Sequence, residues 1–499
     1  MEENLVVDVD VINLQLLQFQ MKKIFKIFLL LLVFTSYSFA QDEKPETYKK
    51  RVLETAEVDF LTSYYTQDGN NASVTGGIGD EHLTDFTPTV VISVPLNDDD
   101  ILTVDAGFSA YSSASSSNLN PFNFGGEGEN NSQTAPSNII GSPWVASSGA
   151  SKSDIWANLN ADYSHSSNDR NTIWNADVSF SNEFDYSSIG FGGGLTKLFN
   201  DKNTTLGLSS KIYLDTWKPR YPIELDWFSA VNGNLDAGIF RNVPIFDESG
   251  NAIDKSGNST PVWDPINYEG ITDKSRNSYS ISFSFSQILS KNVQFSLFFD
   301  VVKQQGWLSN PMQRVYFSDV ANYYMGNANS IPNYTSTSNK DVFQLADDIE
   351  RLPSSRLKFP IGMTFNYYLN ETFVLRTYYR YYTDDWGIKS HTASVELPIK
   401  INSKFTLYPS YRYYNQTAAD YFAPYEQNLS TSDYYTSDYD LSKFNANQYG
   451  FGVSYTDIFS KWHIWKLGLR SIDLKYNNYK RNTGLQANIV SAGFKFIMD

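Results

Sequence analysis

In the stretch LGLSSKIYLD, Leu206, Leu208, Ile212 and Leu214 share one side of an extended chain, and Gly207, Ser209, Lys211, Tyr213 and Asp215 share the other. Side chains of a β-strand point alternately to opposite faces, so a two-residue period means a strand with one apolar and one polar face. The same pattern sets Trp174, Ala176, Val178 and Phe180 against Asn175, Asp177, Ser179 and Ser181. It also sets Leu102, Val104, Ala106, Phe108 and Ala110 against Thr103, Asp105, Gly107, Ser109 and Tyr111. About sixteen such segments run through the chain, with fourteen the alternative count. They start near residues 55, 84, 101, 152, 172, 186, 204, 276, 293, 357, 373, 388, 404, 444, 464 and 484.

Every second joint between segments is short and made of turn formers, as at Asn97–Asp100, Asn200–Asn203, Ser290–Asn292, Asn370–Thr372 and Asn402–Lys404. Several of the intervening joints are long and polar: 116–151, 216–275, 307–356 and 415–443. An even strand count, with short turns at one end and long loops at the other, is the pattern of an outer-membrane barrel. A soluble β-helix would repeat at a fixed period, and none is present. In lipid every backbone group must pair within the sheet, so the sheet must close on itself. The expected fold is therefore an all-β, transmembrane, antiparallel up-and-down barrel over residues 55–499, with short periplasmic turns and long extracellular loops. Its apolar face meets outer-membrane lipid, and its Ser, Thr, Gly, Asn and Asp residues line the lumen.

Composition fits this. Tyr (34), Phe (34) and Trp (10) are abundant in a chain whose mean hydropathy is only −0.38. Runs such as Tyr378-Tyr379-Arg380-Tyr381-Tyr382 suit the headgroup belts of a bilayer. The alternating end Val490, Ala492, Phe494, Phe496, Met498 is the kind of strand that barrel-assembly machinery reads, although Asp499 follows it where a terminal Phe is usual.

The address is written in residues 1–40. Met21-Lys22-Lys23-Ile24-Phe25-Lys26, an apolar run Ile27–Phe34 and Ser38-Phe39-Ala40 have the layout of a secretory signal peptide. Met21 is the expected start, cleavage is expected after Ala40, and 1–20 has no assignable role. Segment 41–54 is polar and reads as a short periplasmic tail or helix. The chain has no cysteine, which excludes disulfides, thiolate metal sites and a cysteine nucleophile. A formal net charge of −16 does not suit nucleic acid, because phosphate neutralisation needs clustered Lys and Arg.

Between the first two segments lies Val74-Thr75-Gly76-Gly77-Ile78-Gly79. A phosphate-binding loop would open a helix, whereas this one leaves a strand and enters another, without a Gly-Lys-Ser/Thr. Its glycines read as positions of positive φ in a tight loop. Asp68, Asn70 and Asp80 lack the spacing of an EF-hand. The four histidines, His82, His165, His391 and His463, are scattered over loops, turns and segment ends, so neither a metal cluster nor a cofactor is expected.

The stretch TSYYTQDGNNASVTGGIGDEHLTDFTPTVVISVPLNDDD, followed by DAGFSAYSSASSSNLNP, resembles the domain of unknown function 3570 family. The string 74–79 and the run 112–118 are its most specific parts, and the likeness extends over the mature chain. The resemblance implies an exported Gram-negative protein predicted to be an outer-membrane barrel. It carries over no catalytic residue. Gene neighbourhoods in the family imply small exported redox or flavinylated proteins as partners.

Inward parity places Asp105, Asp162, Asp177 and Glu183 on the third to fifth segments, and Lys358, Arg376, Arg380, Lys400 and Arg412, with Glu396 among them, on the tenth to thirteenth. In a ring of sixteen these walls face each other, and opposed charges across a lumen orient and select small polar solutes. The expected function is a channel or transport barrel in the outer membrane. A non-conducting barrel that anchors an exported redox or flavin-carrying partner is the alternative, and an outer-membrane enzyme stands third.

Overall fold

In a computed structural model the described residues are 51–113, 143–144, 154–266, 268, 274–338 and 341–498. The signal-peptide segment, the cleavage position and most of the 41–54 tail lie outside them. The described end of that tail is not helical; Arg51 Nε donates to Asp98 Oδ1 (2.9 Å) and Val52 N to Asp98 O (3.0 Å).

Sixteen long strands form one closed antiparallel barrel. They are β1 (Glu57–Asp68), β2 (Leu83–Pro95), β3 (Asp100–Ser113), β4 (Asp154–Ser166), β5 (Thr172–Asn182), β6 (Tyr186–Phe199), β7 (Thr204–Trp217) and β8 (Lys274–Ser290). The second half is β9 (Val293–Gly306), β10 (Ser355–Tyr368), β11 (Val374–Asp384), β12 (Lys389–Glu396, extended by Ile399–Lys400), β13 (Phe405–Gln416), β14 (Phe444–Thr456), β15 (Leu467–Arg481) and β16 (Gln486–Met498). Each pairs with its neighbour in sequence, and β1 closes the ring on β16 from Glu57↔Ile497 to Asp68↔Gln486. The starts expected from alternation fall within three residues of these. The largest difference is at β15. Its apolar alternation continues upstream through Trp462 and Ile464, where the chain instead folds back as a two-residue strand, His463–Ile464, paired with Leu467–Gly468.

The register confirms the two faces. Leu208, Phe283, Leu297, Ile361, Phe451, Leu474 and Val490 are exposed on the outside. Polar residues such as Ser209, Ser282 and Asp300 occupy the intervening, inward positions. Small residues make room inside: at Gly362 a Cβ would collide with the Phe298 ring, which stacks on Tyr378 at 5.8 Å across β10.

The joints at one end of the barrel do not merely connect. Those at 218–273 and 307–354 share a hydrophobic core of Leu225, Phe240, Val243, Ile245, Trp263, Tyr316, Met325 and Leu345, among others. It is tied by short pairings, Arg314–Val315 with Asp348–Ile349 and Tyr323–Gly326 with Val342–Leu345. The 417–443 joint adds Tyr425 and Tyr435. We call this folded layer the cap.

Candidate functional site

The site has two parts, the charged lumen wall and the cap. Registered rows across β11–β15 describe the wall. One row runs Arg380–Thr392–Tyr414–Ala446–Arg481, the next Tyr378–Ser394–Arg412–Gln448–Tyr479, and the next Arg376–Glu396–Ser410–Gly450–Asn477. Neighbouring residues in a row are about 4.8 Å apart, and Arg376 and Arg380 about 13 Å apart along β11. All three arginines thus lie within one patch of wall.

Their environments differ. Arg376 Nη1 donates to Glu396 Oε1 at 3.0 Å, while Glu396 also has Lys475 Nζ at 3.8 Å. Arg376 and Lys475 both lie over the Tyr408 ring, at 5.9 and 5.5 Å. Among the described residues Arg412 has no ion pair and is exposed to the lumen. Arg380 also has none; its Nε is buried without a hydrogen bond, as is Oγ1 of Thr392 directly opposite it. Lys358 lies opposite Asp384, whose carboxylate is taken by Arg356 (2.6 Å). Lys400 lies at the turn end of the wall, exposed on its two-residue strand.

On the facing wall Asp105 accepts from Asn158 (3.4 Å) and Asn160 (2.9 Å), and Asp162 from Asn175 (2.7 Å). Asp177, registered opposite Asp162, has an ion pair with Lys211 at 2.8 Å. Glu183 lies just past β5, in the turn to β6, where it accepts from the Tyr111 hydroxyl. The parity rule therefore places the candidate strand residues inward. The candidate charges left out Lys211, which the alternation already puts on the polar face, and Arg356, Lys475 and Lys495, which the same alternation reaches along β10, β15 and β16. Lys495 bonds Glu57 at 2.6 Å.

The cap centres on Arg314, which has a bidentate pair with Glu224 (2.7 and 2.9 Å); both are buried. Arg314 Nη1 also donates to the Val74 carbonyl at 3.0 Å, which joins the glycine loop to the pair. That loop begins with a 3₁₀ turn, Ser73–Thr75, whose Thr75 hydroxyl donates to the Ile78 carbonyl. Gly76, Gly77 and Gly79 then take φ of 77°, 90° and 104°. A Cβ on Gly76 would stand 2.7 Å from the Tyr316 ring, one on Gly77 2.5 Å from the Ser437 carbonyl, and one on Gly79 against Pro143. The positive-φ reading holds, and the glycines also admit three distant segments to close contact. No sequence signal pointed to Glu224 or Arg314, because neither lies in a periodic segment.

Burial shapes the cap's titration. Glu350, which accepts from Thr436 Oγ1 and Asn310 N (2.6 Å each), is pushed up to about 7 by desolvation. Asp347 is likewise raised to about 7, against the opposing hydrogen bond from Phe317 N (2.9 Å). Among the described residues no cluster of three His, Asp or Glu side chains could hold a metal ion. His82 bonds Asp68 at 3.0 Å, and His391 faces outward beside Tyr379 (2.7 Å).

Comparison with solved structures finds outer-membrane channels and transporters. A bacterial polysaccharide outer-membrane secretin is 10% identical, covering 89% of this chain and 99% of its own, with TM-score 0.38. A deletion mutant of the TodX monoaromatic hydrocarbon channel is 10% identical over 93% and 91%, at 0.36. A Pseudomonas aeruginosa FadL homologue is 9% identical over 89% and 90%, at 0.35. No curated protein matches the sequence. The family model described as protein of unknown function DUF3570 matches residues 28–493. The chain therefore belongs to the domain of unknown function 3570 family.

Proposed function

We propose that this protein is an outer-membrane barrel that passes small polar solutes through a charged lumen beneath a folded cap. The observation that carries this is the wetted, polarised wall: the inward Arg376 side chain is 52% exposed, and Arg412 is uncommitted. Arg376 keeps this exposure although it pairs with Glu396, so both arginines present charge to a wet lumen rather than to a closed interior. The exposed apolar belt outside is the surface that lipid covers, with the cap on the extracellular side and the short turns in the periplasm.

Lipid placement makes the faces unequal. Leu208→Arg or Phe295→Arg should impair barrel assembly, since a charge at the bilayer midplane costs roughly 2–4 kcal/mol. Ser209→Arg and Ser296→Arg, one residue along, should assemble like the parent. Heat-modifiable migration in gels reads the difference, and equal defects in both sets would refute the membrane assignment.

Conductance in planar bilayers under a salt gradient tests the channel itself. Charges in a narrow pore govern which ions enter. Arg376→Glu with Arg412→Glu should therefore assemble normally and move ion preference towards cations. An assembled double variant with unchanged preference would show that these arginines do not line a conducting path.

One observation favours the second reading, a barrel that docks a small exported redox or flavinylated protein. The 457–466 joint is the most elaborate of the turns at its end and exposes Ile458, Phe459, Trp462, Ile464 and Trp465, the last at 96%. Such a cluster is what a partner interface offers. Absence of conductance in an assembled, protease-trimmed barrel would bring this reading forward.

A further inference from the structure

Between β13, β14 and β15, just under the 417–443 joint, the inner wall carries a cavity of about 250 Å³ that opens to the lumen. Three rings form much of it: Tyr414, Phe444 and Tyr479, with Tyr414 and Phe444 centred 5.5 Å apart. Two guanidinium groups reach it, and they are not equivalent. Arg481 is committed: it bonds Asp440 at 2.5 Å and the Tyr479 hydroxyl at 3.0 Å, and lies 4.4 Å over the Phe444 ring. Gln416 is also spent, donating to the carbonyls of Asp440 (2.9 Å) and Ser442 (2.6 Å). Gln448 donates once, to Asn477 (3.0 Å). Arg412 alone brings an uncommitted charge to the lining.

The wall beside the cavity adds a second observation. In register with Tyr414, Thr392 is 1% exposed and its hydroxyl oxygen has no partner, while Arg380 beyond it has a buried, unbonded Nε. Two polar groups facing each other across β11 and β12 are thus left without a hydrogen bond. A buried polar group left unpaired is destabilising, so a polar solute that reaches it is favoured.

An uncommitted planar guanidinium selects carboxylate geometry through two parallel N–H···O bonds. Aromatic walls select a flat apolar body through edge and face contacts. The volume falls below the roughly 300–1,000 Å³ of sites for drug-sized ligands, which leaves room for a single ring. We propose that this cavity is a binding subsite for a small planar aromatic monocarboxylate, with the carboxylate on Arg412 and the ring among Tyr414, Phe444 and Tyr479. The proposal rests on the channel reading only in that the solute reaches the lumen.

Calorimetric titration of the full-length, detergent-solubilised barrel tests it with benzoate, acetate and benzyl alcohol. Benzoate should bind at least tenfold tighter than acetate, which lacks the ring, and than benzyl alcohol, which lacks the charge. Arg412→Gln should weaken benzoate at least tenfold, and Arg412→Lys by less. Ser209→Gln, across the barrel, should leave binding unchanged. Arg412 is exposed, so its variants should keep the heat-modifiable migration of the parent. Benzoate binding no better than that of either analogue, or undiminished in a folded Arg412→Gln barrel, overturns the proposal. Conductance without benzoate binding would remove this subsite and leave the channel; benzoate binding without conductance would do the reverse.

Discussion

Arg314→Met should open the cap while leaving the barrel assembled. Arg314 and Glu224 are both buried, and the guanidinium supplies two hydrogen bonds to the carboxylate and one to the Val74 carbonyl. Methionine fills much of the same volume but leaves Glu224 buried without its counter-charge. Breaking a buried pair from one side costs about 3–5 kcal/mol. At about 1.4 kcal/mol per tenfold, that is a rise of roughly a hundred- to several-thousand-fold in the opened population. Limited proteolysis within 218–273 and 307–354 should accelerate accordingly, and single-channel conductance should rise. Glu224→Leu added to Arg314→Met should recover much of the protection, since an apolar pair of similar volume replaces a buried ion pair at little cost. If the single variant is cut no faster than the parent, the pair does not hold the cap.

The barrel was legible because one physical rule governs each of its strands. A sheet with an apolar outside and a wet inside writes a period of two into every strand, and turn residues mark where it stops. That sufficed to place the strand starts and to assign Leu208 and Ser209 to opposite faces. It misread the approach to β15 because Trp462 and Ile464 alternate as a strand would while belonging to a hairpin that folds back. The cap was not legible at all. Leu225, Phe240, Trp263, Tyr316 and Met325 come from segments without a period, and ring closure rather than local sequence brings them together. The glycine loop stands between these cases. Its positive φ angles could be read from Gly76, Gly77 and Gly79, whereas Tyr316, Ser437 and Pro143, the groups those glycines admit, are remote in the chain. Charge parity likewise identified the inward arginines. Which of them stays free was decided by cross-strand register, which sets Arg376 against Glu396 and Arg380 against Thr392.

The cap should also loosen as pH rises from about 4 to 7. Glu350 and Asp347 both have carboxyls raised to about 7 by burial, against ordinary values of 4.5 and 3.8. A carboxyl whose folded value is raised gives its full stabilising contribution below its unfolded value. That contribution is lost as pH climbs through the folded value, because the opened chain ionises first. Each raised unit is about 1.4 kcal/mol, so each group contributes on the order of 3–4 kcal/mol across that window, with little further change above it. Asp348, raised by burial and partly offset by the Tyr435 hydroxyl and Arg351, acts in the same direction. Asp319 acts in the opposite one: the Ser430 backbone N–H lowers it, so its contribution is kept at neutral pH and lost on acidification through its folded value. It is exposed, however, and cannot offset the buried pair. Hydrogen exchange in 307–354 should therefore show protection highest near pH 4 and falling towards pH 7.5, after correction for the intrinsic rate. Glu350→Gln with Asp347→Asn keeps acceptors for the Thr436 hydroxyl and the Phe317 amide but cannot ionise, and should make the profile markedly shallower, leaving the part contributed by Asp348, Asp226 and Asp438, which burial also raises. A parent profile already flat over this range, or a double variant that keeps the full slope, would mean that these two carboxyls do not set the cap's stability.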